Sequence, residues 1–119
     1  MVTEHYVAEV ADIPEGGRLI VTIKGREIGI FRIKGKFYAL LNYCFHQGGP
    51  LCKGFLDGTF VSGRDTNWKP QWVQDGEILV CPWHYTEFDI TTGRNLAFPN
   101  RRAQTYPLRV EASKLFLIL

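Results

Sequence analysis

Methionine occurs once in this chain of 119 residues, and cysteine and histidine three times each. With so few thiols and imidazoles, where each one falls carries information. No apolar stretch approaches the roughly 18 residues that would cross a bilayer as a helix, so a membrane partner is not expected. Residues 1–12 carry acidic side chains and no basic-then-apolar leader pattern, so cytoplasmic residence is the expectation. Runs of Lys and Arg are also missing, and the formal net charge is only +2. That excludes the strongly basic surface of a nucleic-acid or anionic-lipid binder. No segment holds a helical period, which makes the fold class all-β. The length suits a single domain, 1–119, with its own core and no room for a second, catalytic one.

What is present is a series of short β-rich runs punctuated by turn residues. Residues 5–10 alternate as a half-buried strand does, and Ile13-Pro14-Glu15-Gly16-Gly17 ends it. Leu19–Ile23, Ile28–Ile33 and Phe37–Leu41 follow, joined by Lys24-Gly25-Arg26 and Lys34-Gly35-Lys36. Residues 52–76 mix breakers such as Asp57-Gly58 and Lys69-Pro70 with Phe55, Phe60, Trp68 and Trp72, and read as an irregular insertion. Within it Trp72 is expected to be buried and Trp68, in a polar loop, exposed. Asp75-Gly76 is expected to turn into a strand over 77–80. Glu87–Ile90 is a further short strand, and residues 105–111 and 115–119 are expected to close the chain as a hairpin.

Two stretches stand apart. Cys44-Phe45-His46-Gln47-Gly48-Gly49-Pro50-Leu51 and Cys81-Pro82-Trp83-His84 each pair one thiol with one imidazole beside Gly or Pro, the composition of a tight loop. Together they use two of the three cysteines and two of the three histidines. Two Cys and two His can make a tetrahedral zinc site. Zinc motifs usually segregate a Cys pair from a His pair, whereas here the types interleave. Cys-x-His followed by Cys-x-x-His resembles the Rieske-type iron–sulfur family, in which two Cys hold one iron of a 2Fe-2S cluster and two His the other. Thiolates suit iron already bonded to sulfide, while neutral imidazole leaves its iron easier to reduce. Such centres lie at roughly −150 to +300 mV, against about −400 mV for all-Cys plant-type clusters. Gly48 and Gly49 would let backbone N–H groups approach the sulfur atoms.

The resemblance runs from about Ile20 to the C-terminus. It implies stacked antiparallel sheets, with a small cluster-binding subdomain over 43–86, including the insertion 52–76, set into a base formed by 1–42 and 87–119. It implies one 2Fe-2S cluster held by Cys44, His46, Cys81 and His84. Phe45 to Leu51, Cys81 to His84 and Glu87-Phe88-Asp89 are similar to the soluble, oxygenase-associated members of the family. Respiratory-complex members carry a further Cys in each loop, joined as a disulfide, where this chain has Gly49 and Trp83. One departure stands out: the residue after the second His is commonly Gly in the family and is Tyr85 here.

The function implied is a Rieske-type ferredoxin, not itself an enzyme, passing single electrons from a flavin-dependent or ferredoxin reductase to a terminal oxygenase. An oxygenase in its own right needs a 2-His-1-carboxylate iron site. With His46 and His84 committed, only His5 remains. A small subunit fixed in a larger oxidoreductase and a zinc-stabilised binding module are the other readings. Cys52, the third thiol, reads as a reduced, buried small side chain, since disulfides are rare in the cytoplasm.

Overall fold

The structure is a computed structural model that describes residues 3–45, 48–83 and 85–119. It is all-β, as the missing helical period implies. Among the described residues, ten strands form three antiparallel sheets, and no helix is long and apolar enough to cross a membrane.

The middle sheet is built from β2 (Arg18–Ile23), β3 (Arg26–Ile33), β4 (Lys36–Leu41) and β8 (Thr105–Tyr106), in that spatial order. Its hairpins turn on Lys24-Gly25 and Lys34-Gly35, where all four residues have positive φ, between 52° and 79°. Two-residue turns with both residues left-handed match the natural twist of paired strands, and glycine meets that demand at the second position. Burial along β3 follows the two-residue period of a strand with apolar layers on both faces. Ile28 and Ile30 face a core with Ala8, Ile13, Ala39, Leu115 and Leu117. Phe31 and Ile33 face a second core with Leu40, Cys44, Leu51, Cys52, Leu79, Cys81, Phe88 and Ile90.

Against the first face lies a sheet of β1 (Glu4–Glu9), β10 (Lys114–Ile118) and β9 (Leu108–Glu111), in which the first strand pairs with the last. The third sheet, β5 (Phe55–Val61), β6 (Gln71–Val80) and β7 (Glu87–Asp89), contributes Leu79 and Phe88 to the core on the other face.

Two expectations are corrected. Much of 52–76 is a regular hairpin: β5 pairs with a β6 that begins at Gln71, so no turn at Asp75-Gly76 starts the strand. The local signal survives as a bulge. The register shifts between Asp57 and Thr59, opposite Gln74 and Gly76 at φ 55° and 77°. Cross-strand pairing outside the bulge overrides the breakers. The closing hairpin also begins later than expected. Pro107 has no N–H to offer a ladder, and the chain changes sheets there: Thr105 and Tyr106 pair with β4, and Leu108 onward pairs with β10.

Candidate cluster-binding site

Both candidate thiols sit where the third sheet meets the middle one, fully buried in the shared core. Cys44 follows β4, and Cys81 is the first residue after β6. Each opens a loop with the same backbone frame. The Cys44 N–H donates to Gly49 O at 2.9 Å, and the Gly48 N–H returns to Cys44 O at 2.8 Å. The Cys81 N–H donates to Thr86 O at 2.9 Å, and the Tyr85 N–H returns to Cys81 O at 2.9 Å. In both loops the fourth residue past the cysteine is left-handed, Gly48 at φ 71° and Tyr85 at φ 58°. The commonly Gly position is thus a backbone requirement that Tyr85 meets under strain. Its ring, 68% exposed, leans on Phe55 with centroids 6.3 Å apart.

The Gly48 N–H closes its own loop. Gly49 matters for a different reason. A Cβ there would lie 3.1 Å from Cys81 Sγ and 3.0 Å from the Trp83 indole, so bare backbone is what lets the first loop approach the second cysteine. His46 and His84 lie outside the described residues.

Beneath the first loop, Phe45 meets Phe88 edge-on at 5.6 Å and is covered by the Arg101 guanidinium at 5.0 Å. Asn95, fully buried, accepts hydrogen bonds from the Ala97 and Phe98 N–H groups through Oδ1 and shapes the segment leading to Arg101.

Cys52 is a packing residue, as its sequence context suggests. Its thiol donates to Leu40 O at 3.4 Å, and burial pushes its pKa up to about 12, partly offset by a backbone hydrogen bond from Gly29 and by the Arg18 charge. It packs directly on Gly29 of β3, where a Cβ would fall 2.5 Å from Sγ. Two positioning residues escaped sequence reasoning. The Asn42 Oδ1 accepts from the Cys52 N–H at 2.8 Å, fixing the turn that follows the first loop. Arg18 lies over the Phe31 ring at 5.1 Å and donates to Cys52 O at 2.9 Å and to Gly54 O. Both link residues far apart in the chain, so no local pattern announces them.

The hairpin tip behaves differently. Trp68 is 69% exposed, as expected. Trp72 is 41% exposed rather than buried, because its partners are Phe60, with centroids 4.9 Å apart, and the edge of Gly58, not the core.

The donor chemistry fits a 2Fe-2S cluster: two buried thiols, a glycine cradle between the loops, and one histidine in each loop sequence. The Rieske 2Fe-2S domain family matches residues 3–107. The ferredoxin component of the naphthalene 1,2-dioxygenase system of Pseudomonas aeruginosa is 32% identical over 98% of this chain and 98% of its own. The 3-phenylpropionate/cinnamic acid dioxygenase ferredoxin subunit of Shigella boydii is 30% identical over 96% of this chain and 92% of its own. Among solved structures, the ferredoxin of carbazole 1,9a-dioxygenase from Nocardioides aromaticivorans shares the fold with a TM-score of 0.71 at 22% identity, covering 97% of this chain and 96% of that one. A chain from the reduced complex between oxygenase and ferredoxin in carbazole 1,9a-dioxygenase gives 0.72 at 19% identity, and the present protein spans only 27% of it. The family match sets aside a zinc centre: the chain belongs to the Rieske 2Fe-2S domain family and carries one 2Fe-2S cluster.

Proposed function

We propose that this protein is the ferredoxin component of a multi-component oxygenase system. It is a cytoplasmic one-electron carrier loaded by a flavin-dependent or ferredoxin reductase and discharged at a terminal oxygenase, with no catalysis of its own. The observation that carries this is full-length likeness, over 98% of both chains, to a protein named as such a component. Cys44 and Cys81 would hold one iron, and His46 and His84 the other. The cluster, when bound, supplies one-electron redox chemistry. The chain's own part is structural. Two self-closing loops bury the thiols, and Tyr43, Trp83 and Tyr85, all exposed, lie on or beside them in the chain. The remaining histidine, His5, bonds Thr3 Oγ1 at 2.8 Å in the sheet on the far side of the molecule, which supports a carrier over an oxygenase.

Iron and acid-labile sulfide analysis of the purified protein tests the reading, with two of each expected per chain. The reduced form should give the paramagnetic signal of a mixed-ligand cluster. Its potential should depend on pH, since reduction places negative charge beside the imidazoles and makes them hold their outer protons more tightly. Above the oxidised-state pKa values the potential should fall by about 59 mV per pH unit for each coupled proton. A flat potential up to strongly alkaline pH contradicts histidine ligation, and a colourless protein with stoichiometric zinc contradicts the whole reading.

A further inference from the structure

Each ligand loop closes on itself through the hydrogen bonds between Cys44 and Gly48–Gly49 and between Cys81 and Tyr85–Thr86. The contact of Trp83 with Gly49 runs between the loops instead. The indole Cγ and Cδ2 both lie 3.0 Å from the point where a Gly49 Cβ would stand, and Cys81 Sγ lies 3.1 Å from the same point. Indole and sulfur therefore share the space that glycine leaves empty. Trp83 is 53% exposed, while Cys81 is 1% exposed. An indole with one side in solvent, lying next to a buried thiol, is placed as a roof.

Position in the chain adds to the argument. Trp83 lies between Cys81 and His84, and Gly49 closes the turn that Cys44 opens. A rigid group joining these two points sets the spacing of the two loops.

We propose that Trp83 is a positioning residue for the cluster. Its indole, laid from the second loop across Gly49 of the first, latches the loops together and keeps water from the Cys81 sulfur. The inference rests on Cys44 and Cys81 being cluster ligands, as argued above. A planar ring is what the site requires. Phenylalanine can lie flat on Gly49 and keep most of the contact, alanine cannot, and a Cβ at position 49 would displace the ring.

Three variants of the loaded protein, Trp83→Ala, Trp83→Phe and Gly49→Ala, test it. The first readout is the rate of cluster loss to an excess of iron chelator under anaerobic conditions, followed by visible absorbance. Trp83→Ala and Gly49→Ala should bleach about ten-fold faster than wild type, in line with the usual loss when a supporting group beside a metal ligand is removed. Trp83→Phe should stay within about two-fold of wild type, because the ring contact survives. The second readout is the reduction potential at fixed pH, which a merely structural role would not move. Water reaching the Cys81 sulfur stabilises the more negative reduced state, so Trp83→Ala should have a higher potential than wild type and Trp83→Phe one close to it. Wild-type rates and potential in Trp83→Ala would overturn the latch, as would Trp83→Phe behaving no better than Trp83→Ala. Iron and sulfide content of the wild type separates the two levels: its absence removes the ligand assignment, whereas a full wild-type cluster with indifferent Trp83 variants removes only the latch.

Discussion

The Cys44 loop and the Cys81 loop share a frame and differ in what fills it. In each, the cysteine N–H reaches a carbonyl five residues on, and the residue before that carbonyl is left-handed and bonds back to the cysteine. The first loop fills those places with Gly48 and Gly49, the second with Tyr85 and Thr86. A non-glycine residue in the left-handed region is strained by roughly 1–2 kcal/mol. An aromatic pair contributes about 0.5–1.5 kcal/mol beyond its area, and the Tyr85–Phe55 pair, half in solvent, belongs near the lower end. The contact offsets only part of the strain at position 85. No such exchange is open at Gly48, where a Cβ would press the Tyr43 ring at 3.0 Å, or at Gly49, beside the Cys81 sulfur. The two loops teach that the backbone frame is obligatory, while glycine is obligatory only where a neighbour occupies the space of the side chain.

The severest test of this equivalence is to remove each thiol in turn. Cys44→Ser and Cys81→Ser should each abolish the cluster, read as loss of visible absorbance and of acid-labile sulfide. Retention of a full cluster by either one would break the symmetry of the loops. Next, the matched positions can be exchanged. Gly48→Ala should destabilise the folded protein by about 1–2 kcal/mol in denaturant unfolding. Tyr85→Gly should change it by less than about 1 kcal/mol, since relief of strain offsets loss of the ring contact. If Tyr85→Gly proves the more damaging, the frame matters less than its filling.

A third test uses Cys52, the thiol that belongs to neither loop. Burial raises its pKa from an ordinary value near 9.0 to about 12. Below that window the thiol is protonated both folded and unfolded. Within it only the unfolded chain gives up the proton, so stability falls as pH rises, by at most about 1.4 kcal/mol per pH unit. Cys52→Ser should keep the full cluster and lose that part of the alkaline decline in unfolding free energy. Unchanged pH curves would mean that Cys52 ionises freely in the folded protein. The smallest effect is expected farthest from the loops: Trp68→Ala, at the hairpin tip, should leave cluster content and potential unaltered and shift stability by no more than about 0.5 kcal/mol. A larger loss in unfolding free energy would show that the exposed indole is part of the fold.

The loops were readable because their chemistry is local: Cys, His, Gly and Pro within a few residues. The same holds for the hairpins at Lys24-Gly25 and Lys34-Gly35, whose turn residues declare their left-handed backbone. What sequence could not supply was pairing at a distance. Gly58 and Asp75-Gly76 look like breakers, yet β5 and β6 pair around them, and the breakers become a bulge. Thr105 to Glu111 reads as one strand, but Pro107 divides it between two sheets. Arg18 and Asn42 are unremarkable where they stand and gain their meaning from Cys52, 34 and 10 residues away. Aromatic size suggests burial for Trp72, whereas the two-stranded projection gives it Phe60, Gly58 and Asp75 as partners.

Strand β3 divides the molecule like a party wall between two houses. Its even positions, Ile28 and Ile30, furnish one core, and its odd ones, Phe31 and Ile33, the other. Changes on one side can accumulate without consulting the other, provided the wall stays in place. The sheet of β1, β9 and β10 is thereby free to drift while the ligand side keeps its geometry. The hairpin of β5 and β6 can be remodelled toward a new redox partner without disturbing the far core. Gly29 is the brick that cannot be exchanged, because Cys52 rests directly against it.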